Sequence, residues 1–298
     1  MNIIQIPKRS GEFRTIYVPD AAERVVLNQH LQAIKQVAEA LNYASGGFQH
    51  GFQPARSPAT NALQHVGFDY TLSMDLADFF DSVTPEMVPE NIRFPECFPD
   101  GAARQGLPTS PALANIAASP MDREIFSKYN LSNDRELERV IMLDTDSYAP
   151  ITYTRYADDL TFSSNSFERL DWIRQIIPGI AQNHGFEVKE SKTHMQWSGA
   201  GRRMITGIAV DDKGIHPSRH TKRRLRAANH QRHTAEARGL AEWMKLVLPK
   251  QFNSTLWRAP QPASSQGQTM SPNVVPEPTT TPHIAERIFT FHHDDSQH

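Results

Sequence analysis

The chain opens on two β-prone runs, Ile3–Ile6 and Phe13–Val18, separated by the turn-rich Lys8-Arg9-Ser10-Gly11. Two such runs around such a turn predict a β-hairpin. Asp20 then fits the N-cap of a helix reaching about Leu41, with Val25, Val26, Leu31, Ile34 and Val37 as its apolar positions, and Gly46-Gly47 closes that region. "YTLSMDLADFFDSV", Tyr70 to Val83, predicts an apolar strand leading into a short turn of helix. "LPTSPALANIAASPMDREIF" predicts a helix of small residues starting near Thr109, with Pro111 tolerated in its first turn. "ITYTRYADDLTFSS", Ile151 to Ser164, predicts strand, turn and strand. Phe167 to His184 gathers Leu170, Ile173, Ile176 and Ile177 on one side, the period of an amphipathic helix. "GFEVKESKTHMQ" and "RRMITGIAVDD" predict strands with turns, and the stretches from Pro217 onward and Ala237 to Leu248 predict helices.

The 298 residues suffice for one large domain or two modest ones with a real core. No apolar run approaches the roughly 20 residues of a membrane span, and the N-terminus gains charge at Lys8 too early for a signal peptide. A soluble, cytoplasmic protein is expected. The single cysteine, Cys97, excludes a disulfide framework and a cysteine-rich zinc site. After Trp257 the chain turns rich in Pro, Ser, Thr and Gln, a linker or disordered tail over 258–298. Ile284, Ile288, Phe289 and Phe291 near its end would suit a short docking element.

Net charge is only -2, so overall composition says nothing about a polyanionic partner. Its distribution does. Gly201 to His233 carries nine Lys/Arg against Asp211 and Asp212. Such a segment is either a footprint for a polyanion or a solvated helix face.

The adjacent acids Asp158 and Asp159 fall at the turn between two strand-like runs, and Asp75 ends another apolar run. An isolated Asp-Asp pair is most simply a turn facing water. Three carboxylates at neighbouring strand ends instead make a hard-oxygen site suited to Mg²⁺ and substrate phosphates, and two such ions clamp an in-line phosphoryl displacement. Asp78 and Asp81 read as helix-start acids.

These stretches resemble the boxes of reverse transcriptases. Tyr156-Ala157-Asp158-Asp159 matches the catalytic box, and Asp75 with Leu76-Ala77-Asp78-Phe79-Phe80 matches the first metal motif. "QGLPTSPALANI" from Gln105 matches the motif under the template–primer pair, "RTIYVP" from Arg14 the fingers segment, and "GFEVKESKTH" the following palm motif. The boxes come in family order between Lys8 and about Arg226. "NALQH", Asn61 to His65, and "ITG", Ile205 to Gly207, resemble elements of the retron type. Retron enzymes often carry a helical leader before the hairpin, which here begins close to Met1. The thumb stretch from Gly207 to about Lys250 is short, and the Pro-rich tail has no counterpart in the family pattern.

The resemblance implies an α+β, right-hand polymerase fold: fingers over 1–70 with 84–120 contributing, palm over 71–200, a reduced thumb over 201–257. It implies an RNA-directed DNA polymerase with two Mg²⁺ ions on Asp75, Asp158, Asp159 and the Leu76 carbonyl. Phe80 becomes the ring that excludes a 2′-hydroxyl, or else a core residue beside Phe79. Arg14 and Lys8 become triphosphate donors, or else surface charges on a hairpin. Gln105 and Gly106 would line the nucleotide pocket. Lys192 becomes a general acid for pyrophosphate, or else a surface ion-pair lysine. Asn61, His65, Thr206, Arg219, Lys222, Arg223, Arg224 and Arg226 become RNA contacts; unaided, His65 reads as an ordinary histidine. Implied partners are dNTPs, a cognate structured noncoding RNA serving as template and primer, its branched DNA product, and an effector protein in anti-phage defence, with no membrane. Rival readings are another bacterial reverse transcriptase, intron-derived or defence-associated, and a non-catalytic RNA-binding scaffold. The lack of long maturase and endonuclease extensions argues against the intron type, and three intact acids argue against the scaffold.

Overall fold

The computed structural model describes residues 1–8, 11–44, 47–129 and 151–247. Arg9, Ser10, Gly46, the expected end of the thumb and the whole 258–298 tail lie outside the described residues. Strands β1 (Asn2–Pro7) and β2 (Phe13–Val18) form the expected hairpin, with Ile4 opposite Ile16 and Ile6 opposite Arg14. Helix α1 (Ala21–Ala44) starts where Asp20 predicts. Asp20 Oδ1 accepts from the Glu23 N–H and Glu23 Oε2 accepts from the Asp20 N–H, both at 2.9 Å, so two orphan donors are satisfied reciprocally. The buried stripe of α1 is Leu27, Ile34 and Ala38, whereas Val25 and Val26 are exposed. The apolar face is therefore rotated from the expected one, because the helix packs chiefly on a single neighbour, α3 (Ser110–Tyr129).

The central sheet is antiparallel, in the order β4 (Thr152–Tyr156), β5 (Asp159–Ser164), β3 (Tyr70–Asp75), β6 (His194–Trp197). Leu72, Met74, Leu160 and Phe162 share a core with Leu113, Ala117 and Met121 of α3 and with Leu170, Ile173 and Ile177 of α4 (Phe167–Asn183). The opposite face is left for chemistry and for the rest of the chain. Beyond β3 the expected turn of helix is reduced to a single closed turn, the Ser82 N–H donating to Asp78 O at 2.9 Å. A bridge between Leu76 and Val188, with the Ala77 N–H donating to Glu187 O at 2.7 Å, draws the chain on beside its neighbour, and Asp78 turns at a φ of 42°. Asp78 is exposed and Asp81 pairs with Arg104 at 2.8 Å, so neither caps a helix.

A second, smaller core lies under a three-stranded sheet, β7 (Arg203–Ile205), β8 (Ile208–Val210) and β9 (Ile215–Pro217). Its Ile205, Ile208, Val210 and Ile215 meet Ala59 and Ala62 of the short helix α2 (Pro58–Leu63) and Trp243 of α6 (Thr234–Val247). Between them runs the basic helix α5 (Arg219–His230), capped by Ser218 Oγ, which accepts from the Thr221 N–H at 3.1 Å.

One polar cluster sits inside the large core. Arg155 and Asp122 are both fully buried and joined at 2.7 Å. Asp122 also accepts from the Tyr153 hydroxyl at 2.6 Å and from Gln49 Nε2 at 3.0 Å, while Arg155 Nη1 reaches Asn115 Oδ1 and Ala157 O, each at 3.0 Å. Breaking one partner of such a pair strands a buried charge, at about 3–5 kcal/mol. Asp122→Ala should lose about that much stability in urea unfolding. The double change Asp122→Leu with Arg155→Met should lose less, since no charge is then left unpaired.

Candidate active site

The turn between β4 and β5 is two residues long, Ala157 and Asp158, closed by the Tyr156–Asp159 pair. Ala157 adopts a φ of 58°, the left-handed geometry that tight hairpins use at this position. Gly51 explains why the turn does not move. A Cβ at residue 51 would stand 2.4 Å from Ala157 N, so glycine alone permits the contact. From below, Arg155 holds Ala157 O, and from the side the Leu76 N–H donates to Asp158 O at 3.0 Å.

Register then gathers the acids. Asp75 and Asp159 are direct cross-strand partners, and Asp158 precedes Asp159 on the turn. Lys192, from the 3-10 turn Glu190–Lys192, donates from Nζ to Asp75 Oδ2 at 2.6 Å. Burial and the charges of Asp158 and Asp75 push Asp159 up to about 7. Burial, and then Asp75, raise Asp158 as well, against the opposing charges of Lys192 and Arg14. The hydrogen bond to Asp75 raises Lys192, which keeps its proton. An open pocket of about 260 Å³ beside the acids is lined by Ser73, Met74, Asp75, Asp159, Lys192 and His194. Sequence reading passed over Ser73 and His194. Both stand two residues from a member of the site, and they are cross-strand partners, so period-2 alternation was the available signal.

Among the described residues no three His, Cys, Asp or Glu side chains are drawn together around one point as a closed metal cage. Asp75 instead turns an oxygen to Lys192. The donor set is nonetheless all hard oxygen, and burial together with neighbouring negative charge raises Asp158 and Asp159. Both features fit a divalent cation that keeps part of its shell for phosphates.

The other expected residues divide. Arg14 is exposed on β2 within electrostatic reach of Asp158, whereas Lys8 is 3.6 Å from Glu12. Phe80 is half-buried between Phe79 and Phe52, at centroid distances of 5.7 and 6.1 Å. Gln105 O accepts from the Tyr17 N–H at 2.8 Å. Gly106, at a φ of 107°, lies so close to β2 that a Cβ would be 2.3 Å from Tyr17 O. Its close approach thus serves the docking of the hairpin. Arg219, Arg223, Arg224 and Arg226 are exposed on α5 and Lys222 is half-buried; Arg224 is held by Glu236 at 2.5 Å.

The expectation of RNA contacts at Asn61 and His65 is corrected. Both side chains are fully buried. His65 Nδ1 lies 2.9 Å from Ser163 Oγ and Nε2 lies 2.7 Å from Thr154 Oγ1, and burial pushes its pKa down to about 3, so the ring is neutral. Thr206, half-buried at a φ of 46°, donates from Oγ1 to Pro58 O at 3.3 Å. The two retron-like elements therefore meet each other at the foot of α2.

The carboxylate cluster has a consequence for stability. A carboxyl whose folded pKa is raised to about 7 binds protons that the unfolded chain has already released, so it destabilises the fold increasingly as pH rises from about 4 to 7. Without divalent cations, Asp159→Asn should melt higher than the wild type at pH 8. The difference should vanish near pH 4, as thermal melts at the two values will read.

Residues 6–213 match the family model described as reverse transcriptase (RNA-dependent DNA polymerase). The chain is 31% identical to the retron Mx65 reverse transcriptase of Myxococcus xanthus, over 83% of this chain and 61% of that protein's length. It is 26% identical to the retron Ec86 reverse transcriptase of Escherichia coli, over 83% of this chain and 75% of the other. Among solved structures, the telomerase of Candida albicans in complex with the TWJ fragment of telomeric RNA superposes with a TM-score of 0.50 at 13% identity, over 72% of this chain and 46% of that one. That likeness concerns the fold alone. The resemblance to retron-type enzymes read from the sequence is borne out, and so is the α+β polymerase fold. With a family match covering most of its length and the acids of the family's boxes gathered at one end of one sheet, the chain belongs to the reverse transcriptase (RNA-dependent DNA polymerase) family.

Proposed function

We propose that the protein is an RNA-directed DNA polymerase of retron type. It extends a cognate structured noncoding RNA from a 2′-hydroxyl into branched RNA–DNA, in anti-phage defence alongside an effector protein in the cytoplasm. The observation that carries the reading is the register that sets Asp75 opposite Asp159, with Asp158 on the adjoining turn and Lys192 on Asp75. No described helix is long and apolar enough to cross a membrane.

In the reaction, the primer hydroxyl oxygen attacks the α-phosphorus of a dNTP, an O–P bond forms, and pyrophosphate departs. Two Mg²⁺ ions, held by Asp75, Asp158, Asp159 and the Leu76 carbonyl, would supply Lewis-acid activation of the hydroxyl and charge neutralisation on the triphosphate. Lys192 holds its proton against Asp75 and stands ready to hand it to the pyrophosphate oxygen. Arg14, exposed on the hairpin, offers a bidentate guanidinium to the phosphates, with Lys8 behind it. Phe80 excludes a 2′-hydroxyl from the incoming sugar. The exposed arginines of α5, with Lys222, grip phosphates of the RNA or of the product duplex, an interaction that requires charge but little sequence. In this scheme fingers, palm and thumb occupy the ranges expected above, and the clasp of α2 with Thr206 orients the thumb's RNA contacts.

Asp158→Asn should abolish primer extension in the presence of Mg²⁺ while changing RNA affinity less than twofold by filter binding, because the carboxylate acts on the reacting centre and not on the template. Substantial residual synthesis would refute the assignment. Protein isolated from cells that carry its native locus should bring with it a short DNA covalently joined to RNA. RNase should shorten that species and leave a few ribonucleotides on the DNA. A preparation that extends annealed primers yet carries no linked nucleic acid would retain the polymerase and reject the retron type.

A further inference from the structure

Phe52 is exposed to 50% of its surface, yet its chain neighbours Gly51 and Gln53 are both buried. Its φ of 60° lies in the left-handed region that bulky residues avoid. Such strain persists only where the surroundings fix the backbone, and here they do. Gly51 is pressed against the Ala157 backbone, and its carbonyl accepts from Asn115 Nδ2 at 2.9 Å. Gln53 Nε2 donates to Gln49 Oε1 at 3.2 Å, and Gln49 Nε2 in turn reaches Asp122. An apolar ring is thus held out to solvent by the same network that fixes the catalytic turn. The flanking contacts account for the backbone, but they give no reason for an apolar ring at a position so exposed.

Its surroundings supply one. The ring lies 6.1 Å from Phe80, tilted by 50°. Its loop is bridged through Gln49 to Arg155 of β4, the edge of the sheet opposite β6, while Lys192 and His194 line the pocket on the β6 side. On the gate reading, a nucleotide with its sugar over Phe80 and its phosphates on the acids would carry its base, and the template nucleotide paired with it, on the side of Phe80 away from Lys192.

We infer that Phe52 is a platform for the template nucleotide that pairs with the incoming dNTP. This rests on the polymerase reading and on Phe80 as the sugar gate, and it extends them to a residue outside the boxes that carried the family resemblance. An aromatic face stacks on any base, so the contact favours a well-seated template without choosing its sequence.

Single-nucleotide insertion on an annealed primer tests the assignment. Phe52→Ala should raise the KM for the dNTP about tenfold, similarly for all four templating bases, with kcat within twofold of the wild type. Phe52→Trp should restore the KM. The melting temperature of each variant separates this from simple misfolding. The decisive comparison uses a template with an abasic site opposite the incoming nucleotide: wild type and Phe52→Ala should then insert alike. A difference that persists on the abasic template would move the contact to the incoming nucleotide or to site shape and overturn the inference. An unchanged KM on intact template would overturn it too. Phe80→Ala, run alongside, should admit ribonucleotides whatever Phe52 does. Its failure would reject the gate, and a wild-type protein that extends no primer would reject both readings.

Discussion

Everything at the catalytic end of the sheet depends on a buried ion pair. Arg155 and Asp122 lie in the core with no access to solvent. Two charges there are costly unless every lone pair and proton is used, and nearly every one is. Asp122 takes bonds from Arg155, Tyr153 and Gln49. Arg155 serves Asp122, Asn115 and Ala157 O, with its guanidinium 5.7 Å from the Phe79 ring centroid. The gain is geometric. Helix α3, strand β4, the segment from Gln49 to Gly51 and the turn bearing Asp158 become one rigid body. An apolar replacement would fill the same volume but would leave the carbonyl of a strained turn residue without a donor.

Rigidity is what the acids require. Asp75, Asp158 and Asp159 repel one another, and a yielding loop would separate them toward water. Cross-strand pairing holds Asp75 against Asp159, and the Gly51 contact blocks retreat of the turn. Burial first, and the repulsion that stays in the structure after it, raise the carboxylate pKa values, to about 7 at Asp159. Lys192 relieves part of that repulsion, through its hydrogen bond to Asp75 and through its charge at Asp158 and Asp159. The site is built to be short of positive charge, which is the condition under which a cation and its phosphates bind most favourably.

Most of this could be read from the sequence where function and local pattern coincide. The hairpin, the cap at Asp20, α3, the β4–β5 turn and α4 all follow from periodicity and turn residues. Asp75, Asp158 and Asp159 were legible as a group because the family's boxes come in order around them; acids at a turn, taken alone, would read as facing water. What escaped was set by tertiary contact. The exposed face of α1 depends on a helix far along the chain. Strand β9 is three residues long and carries no periodic signal of its own. At Gly106 the sequence shows that a glycine suits the position without showing that the Tyr17 backbone comes close. The retron-like resemblance carried Asn61 and His65 to RNA, and a motif does not show that both are buried or that the His65 ring is taken by Ser163 and Thr154.

That last pair of histidine contacts links the two halves of the working surface. On the face of the sheet away from α3, Thr71 Oγ1 lies 2.8 Å from Ser163 Oγ and accepts from Arg203 Nη1 at 2.9 Å, while His65 spans Ser163 and Thr154. Arg203 begins β7, so a continuous polar chain runs from the small sheet, through β3 and β5, to β4. Ala59 and Ala62 of α2 meanwhile belong to the small core, and Thr206 grips Pro58 O. Helix α2 is thus wedged between the sheet that carries the acids and the sheet from which the basic helix α5 departs. At physiological pH His65 is neutral and its partners are hydroxyls, so this junction does not loosen with salt or mild acid. Surface pairs such as Arg224 with Glu236 do weaken with salt. The salt sensitivity of α5 therefore lies in its exposed arginines, while the junction beneath them is held by the neutral His65 ring, hydroxyls, apolar packing and the buried Arg203.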